Sequence, residues 1–205
     1  MSQTVDPKLF PRVAAYIAQL PDGLASYPQC QIKGALFRSA LSYLPLPEVE
    51  PGALPDEVLK LVREPPRQSD WIPEVAAMAY NVAYADARKL SDAEFLDVML
   101  EANRRSFAGP IYKILLGLAS PYLLVAAGGA RWGTMHRGST LTIEKSDSHE
   151  CDGRLAFPPR LFTELMLLDF SRAMQAALEA SRAKEATVTL TDWGEEFGFY
   201  VARWK

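Results

Sequence analysis

The chain has 205 residues, 49% of them hydrophobic and 23% charged, which gives it enough apolar material for a sizeable core and excludes general disorder. Its formal net charge is −3 with basic and acidic residues interspersed, so the basic footprint of a nucleic-acid binder is missing. The two cysteines, Cys30 and Cys151, form neither a CxxC pair nor a disulfide framework.

The start, MSQTVDPKLFPR, lacks the cationic opening and apolar run of a secretory signal, and the expected location is the cytoplasm. Residues 10–20 have a helical pattern, stopped by Pro21-Asp22-Gly23. In QIKGALFRSALSYLP, Ile32, Leu36, Phe37, Ala40, Leu41 and Leu44 keep helical spacing until Pro45. Residues 45–55 hold four prolines and read as a wrapping loop. Pro55-Asp56-Glu57 opens a short helix with proline and acids in its first turn, where free N–H groups favour them, and Pro65-Pro66 closes it.

Ser69 or Asp70 is expected to cap the next helix, with Pro73 near its start and Ala76, Ala77, Tyr80, Ala83, Tyr84 and Ala87 as its apolar stripe. Ser91-Asp92-Ala93-Glu94 has capping-box spacing, and Phe95, Val98, Met99 and Ala102 carry that helix inward. Residues 110–127 read as an apolar helix or broken helix pair ended by Gly128-Gly129. The uncharged run from 114 to 130 is interrupted by Ser120 and Pro121. It falls short of the roughly 20 apolar residues of a membrane span, so it is assigned to the core.

The period then changes. Leu141 and Ile143 alternate with Thr140, Thr142 and Glu144, as in a half-buried strand. SDSHECDG reads as a polar link and RLAF as the second strand. Residues 161–183 form a long helix with Leu165, Leu168, Ala173, Ala176, Ala177 and Ala180 on its core face. ATVTLTDW and GFYVARW close the chain as two strands joined at Gly194-Glu195-Glu196. The expected fold class is α+β, with N-terminal helices followed by a ββαββ unit bearing a four-stranded antiparallel sheet. A single domain over 1–205 is expected, with a helical part over about 6–130 and a sheet part over about 131–205.

Asp147, His149 and Cys151 alternate, and a continuous strand would bring them to one face where His136 or Cys30 could complete a zinc set. The surrounding Ser146, Ser148, Asp152 and Gly153 are turn residues, and a solvated hairpin loop is the preferred reading, with no metal and no cofactor. Cys30 is a candidate nucleophile if it sits at a helix N-terminus, although no base is identifiable. Arg104 and Arg105 end an amphipathic helix, where they complement its dipole or grip an anionic ligand. Arg131, Trp132, His136 and Arg137 form a basic-aromatic cluster where helix passes into sheet. Together these six residues are the candidate ligand or partner surface. No nucleotide or nucleophile-elbow motif occurs, so no enzyme activity is expected.

QIKGALFRSAL and ATVTLTDWGEEFGFYVARW resemble the opening helix and closing hairpin of an uncharacterised myxobacterial paralogous family, a domain of unknown function. The resemblance covers roughly residues 28–204. In element order the chain is more distantly similar to the group of haem–nitric-oxide sensors, 4-vinyl-reductase-type domains and TRAPP subunits. Those haem sensors use a helix-borne axial histidine and a Tyr-x-Ser-x-Arg clamp. Here residues 69–130 hold no histidine and the clamp is absent. The resulting expectation is a non-enzymatic cytoplasmic signalling or protein-interaction module, with a protein partner or homodimer. The alternative is a sensor holding a small apolar or anionic ligand between helices and sheet.

Overall fold

In the computed structural model, residues 4–109 and 120–205 are described. The chain divides into two units, residues 1–93 with 135–138, and residues 94–134 with 139–205. The expected α+β class is observed.

The first unit holds α1 (Pro11–Gln19), a 3-10 turn (Gly23–Ala25), β1 (Gln31–Lys33), α2 (Gly34–Tyr43), α3 (Asp56–Arg63), β2 (Trp71–Pro73), α4 (Glu74–Ala87) and β3 (His136–Arg137). At its centre α4 buries Val75, Ala76, Ala77, Met78, Ala79, Tyr80, Val82, Ala83 and Ala85. Such a run covers nearly every side of the helix, as expected of one surrounded by protein. The Tyr80 hydroxyl donates to the Leu44 carbonyl at 2.6 Å and its ring meets Phe37 edge-on at 5.1 Å. No side chain of its own caps α1. Instead Asp86, from α4, accepts from the Arg12 and Val13 amides at 2.8 and 3.3 Å, and the Arg12 guanidinium pairs with Asp86 and Asp92. A carboxylate at a helix N-terminus complements the free N–H groups, and this one arrives from 73 residues away.

Residues 31–33 and 71–73, expected as helix and helix cap, are strands. They pair antiparallel, Ile32 facing Ile72, and β3 adds to the other side of β1 in the order β2-β1-β3. Three-residue strands are too short for alternation to register in sequence, and their partners are distant. Asp70 accepts from the Arg67 amide in the preceding turn and caps no helix. Gly34 seats the β1–α2 junction against that turn: its amide donates to the Asp70 carbonyl at 2.8 Å, and that of Ala35 to the Gln68 carbonyl at 3.1 Å.

The second unit takes over α5 (Asp92–Phe107) from Glu94 onward, then α6 (Pro121–Ala126), α7 (Gly128–Met135, to Thr134), β4 (Thr140–Ser146), β5 (Glu150–Ala156), α8 (Glu164–Ala180), β6 (Thr187–Gly194) and β7 (Phe197–Arg203). Of the helix expected over 110–127, residues 110–119 lie outside the described residues and 121–126 are α6, capped by the Ser120 hydroxyl. Gly128-Gly129 does not lead directly into the sheet: it opens α7. A Cβ on Gly129 would stand 2.6 Å from the Leu141 carbonyl oxygen, and one on Gly128 would stand 3.3 Å from the Ile143 side chain. The glycines let helix backbone lie on β4.

The sheet is antiparallel in the order β4-β5-β7-β6. Cys151, Leu155, Val188 and Tyr200 are buried on its covered face, where the Tyr200 hydroxyl donates to the Leu167 carbonyl of α8 at 3.1 Å. The predicted core face of α8 is corrected. Of its six residues only Ala176 is buried, while Met166, Leu167, Asp169, Phe170, Ser171 and Leu178 are. The N-terminal half of α8 is enclosed on more than one side, because Phe170 meets Trp132 at 5.3 Å and Phe162 at 4.9 Å, and Phe162 meets Phe157 at 4.8 Å. No helix among the described residues is long and apolar enough to cross a membrane.

Candidate functional site

The small sheet of the first unit has two chemically opposite faces, because successive side chains alternate. On the exposed face Arg137 and Lys33 stand over the Trp71 ring, 3.9 and 4.1 Å from its centroid. On the buried face Ile32, Ile72 and His136 point inward. There His136 Nδ1 lies 2.7 Å from Oε1 of Glu74, with the glutamate side chain 0% exposed and the histidine 8%. Glu74 opens α4 directly after β2, and its amide donates to the Cys30 carbonyl at 3.0 Å, which ties the start of α4 to the residue before β1. The other carboxylate oxygen, Oε2, is buried with no hydrogen-bond partner.

Tyr16, from α1, and Cys30, just ahead of β1, complete this interior cluster. Burial pushes the Glu74 carboxyl up, against the lowering effect of His136. Burial and the Glu74 charge push the Cys30 thiol up to about 11 and Tyr16 well above its ordinary value. Cys30 therefore stays a thiol at neutral pH. It precedes a strand and not a helix, so the thiolate-stabilising helix end envisaged for it does not exist. The chain passes across it at Gly138, where φ is +79° and a Cβ would stand 2.5 Å from Sγ. The cluster can hold a proton between carboxylate and imidazole, and its spare acceptor can take a hydrogen-bond donor. It offers no exposed nucleophile.

The six residues of the expected surface are divided between the units. His136 and Arg137 lie in the first, on opposite faces of β3. Arg104, Arg105, Arg131 and Trp132 lie in the second. Arg104 makes a two-pronged pair with Glu179 at 2.7 and 2.8 Å, and Arg105 pairs with Glu101 one turn back at 2.9 Å. Both arginines are exposed and committed to structural partners. Replacing Arg104 with alanine should cost at most about 1 kcal/mol in urea denaturation, as for other exposed ion pairs. Trp132 donates to the Ser139 hydroxyl at 3.1 Å and packs on Phe170, and the buried Nε of Arg131 has no hydrogen-bond partner.

The link between β4 and β5 is shorter than SDSHECDG suggests, because residues 150–153 belong to β5. Asp147 Oδ1 accepts from the His149 and Glu150 amides at 2.8 and 2.7 Å, closing the turn, and these two bonds lower its carboxyl. His149 is exposed, with Nδ1 2.7 Å from the Ser148 hydroxyl. Cys151 is buried on the covered face of the sheet, and burial lifts its thiol to about 11. The turn therefore separates the imidazole from the thiol. Among the described residues no group of three or more His, Cys, Asp or Glu is placed to hold a metal ion.

Sequence reasoning missed Glu74 and Asp169. The first looks like an ordinary first-turn acid. The second sits in an apolar run, LMLLDF, and that context was the available signal. Asp169 is buried in α8 with Oδ1 lacking a hydrogen-bond partner, and burial pushes its carboxyl up to about 7.

No family model matches the chain, and no curated protein does. Solved structures do. One is a Cs H-NOX mutant with 4-cyano-L-phenylalanine at site 5, matched at TM-score 0.55 and 13% identity over 85% of this chain and 97% of that one. Another is the Fe(II) unliganded H-NOX protein from K. algicida, at TM-score 0.52 and 11% identity over 85% and 97%. A third is an oxygen-binding H-NOX domain related to soluble guanylate cyclases, in its oxygen complex, at TM-score 0.50 and 11% identity over 96% and 95%. At these identities the likeness concerns architecture, and the architecture of this chain is that of the H-NOX fold.

Proposed function

We propose that this chain is a non-enzymatic sensor domain that binds a small ligand other than a histidine-ligated haem. The observation that supports it is the fold, shared over 97% of the length of an H-NOX protein. One such protein is described as oxygen-binding, which favours ligand sensing over a purely protein-interacting module. In this reading the domain works in the cytoplasm and passes its state to a protein partner or a second copy. The segments QIKGALFRSAL and ATVTLTDWGEEFGFYVARW support a relationship to the myxobacterial paralogous family that they resemble.

A haem held by histidine does not fit the residues present. The chain has two histidines. His136 is borne by a strand and His149 by an exposed hairpin turn, so neither is the helix-borne axial ligand that the haem sensors use. Buried polar atoms without a hydrogen-bond partner include the carboxylate oxygens Glu74 Oε2 and Asp169 Oδ1 and the guanidinium donors Arg131 Nε and Arg172 Nε, so they do not select the charge of a guest.

The test is native mass spectrometry, with a visible absorption spectrum, of the full chain purified from its own host. A stoichiometric small-molecule mass without a Soret band is expected. A bare chain would overturn the sensor reading, and a Soret band would overturn the exclusion of haem.

A further inference from the structure

We propose that Arg137, Lys33 and Gln31, gathered round Trp71 on the exposed face of the small sheet, form a binding site for the phosphate group of a small phosphate monoester. The site lies wholly in the first unit and does not rest on the ligand reading above.

Three strands bring these side chains together from distant parts of the chain. Lys33 pairs with Trp71 across β1 and β2, and Gln31 pairs with Arg137 across β1 and β3. Alternation along β1 puts Gln31 and Lys33 on one face and Ile32 on the other. The Arg137 guanidinium carbon lies 3.9 Å from the Trp71 centroid, and Lys33 Nζ lies 4.1 Å from it. The two cations are therefore no more than about 8 Å apart. Two oxygens of one phosphate span such a gap, each at a charge-assisted hydrogen-bond distance of about 2.8 Å.

Like charges at that range repel, and a carboxylate beside them is the ordinary remedy. Among the described residues none pairs with either cation. Asp70, next to Trp71 in the chain, accepts from the Arg67 amide, and Glu74 lies on the buried face against His136. Arg137 is exposed, and among the described residues its side chain has no hydrogen bond or ion pair beyond its ring contact. Lys33 makes one hydrogen bond, to the Ser69 carbonyl at 3.0 Å. A guanidinium held by its face keeps its in-plane N–H donors, and these match phosphate oxygens two at a time. Stacking on Trp71 sets that fork before a ligand arrives, and Ser69 tethers the ammonium, so binding costs less side-chain freedom. Two unit charges and the Gln31 carboxamide suit a dianion with three acceptor oxygens; a carboxylate carries half that charge. The face is three strands wide and at most three residues long, about 10 Å in each direction, which fits one phosphate and its ester group rather than an extended peptide or a bilayer.

The test is NMR titration of the full chain with inorganic phosphate and with phenyl phosphate at constant ionic strength, following the side-chain signals of Arg137 and Lys33. Both probes should shift these signals to saturation in the millimolar range. Arg137→Gln should weaken binding about tenfold, through loss of one charge-assisted pair. Arg137→Lys keeps the charge and loses the fork, and should weaken binding several-fold. Arg88→Gln is the matched control: Arg88 is exposed over the Tyr84 ring, with no second cation on that ring among the described residues, and its loss should leave the affinity unchanged. Wild-type signals that do not saturate, an equal response to acetate, an unchanged affinity in Arg137→Gln, or an equal loss in Arg88→Gln would each overturn the site. Binding of a serine-phosphorylated peptide or of phosphoinositide vesicles through Arg137, with no response to either small probe, would overturn the assignment to a small molecule.

Discussion

Replacing Gly34 with alanine is expected to destabilise the protein by about 3 kcal/mol or more, lowering its melting temperature by roughly 10 °C. A Cβ at this position would stand 2.1 Å from the carbonyl oxygen of Arg67. That atom is backbone and cannot rotate away. Either the 67–70 turn or the β1–α2 junction must move, and the amide bonds of Gly34 and Ala35 to the Asp70 and Gln68 carbonyls hold the two together. Gly133 in α7 is the matched control, since a Cβ there meets nothing within 4 Å. Its replacement by alanine should stabilise the helix by about 0.5–1 kcal/mol, because glycine pays more backbone entropy. Thermal denaturation of both variants checks the pair of signs. Equal effects at the two positions would show that the Gly34 junction is not tightly seated.

Asp169 governs the second large effect, which depends on pH. Its carboxyl titrates near 7 in the folded protein against an ordinary value of 3.8. Between those values the folded state keeps a proton that the unfolded chain releases. Stability therefore falls as pH rises from about 4 to about 7, and the loss is complete above the folded value. A shift of about three pH units corresponds to about 4 kcal/mol. The Asp169→Asn variant, neutral at every pH, should be more stable than the wild type at pH 8 by a sizeable part of that amount. It should also be less dependent on pH between 4 and 7. Urea denaturation of both proteins at pH 5 and pH 8 makes the comparison. A wild type no more sensitive to this rise in pH than Asp169→Asn would mean that water or another group relieves the buried carboxylate.

The large elements were legible because their signals are local. Alternation at Leu141 and Ile143 marked β4, proline and glycine bounded α1 and α3, and the last hairpin was read with its turn in place. What escaped was tertiary. The three-residue strands β1 and β2 carry no period of their own and exist because Ile32 and Ile72 meet across 40 residues. Gly128-Gly129 was read as a stop because glycine ends helices; here the same residue type starts one, because β4 lies against it. The core face of α8 was phased on alanines, whereas a helix enclosed on several sides near its N-terminus has no single stripe to find.

The site divided along the same line. The hairpin turn at residues 147–149 follows from its own Asp and Ser side chains. Arg104 looked available because its partner, Glu179, lies 75 positions away, whereas the Glu101–Arg105 pair has the i,i+4 spacing that helix position alone makes legible. His136 was singled out as part of a surface and is buried. Its significance depends on Glu74, which lies 62 positions earlier and has no distinguishing context in the sequence.

One thiol lies in each unit, Cys30 in the first and Cys151 in the second, and both are buried. A labelling reagent gains access to each sulfur only through local or global opening of the surroundings of that sulfur. Separate mass analysis of the two cysteine peptides would therefore time the breathing of the helical core and of the four-stranded sheet as two clocks in one sample. The natural sequence carries both reporters, with no engineered probe.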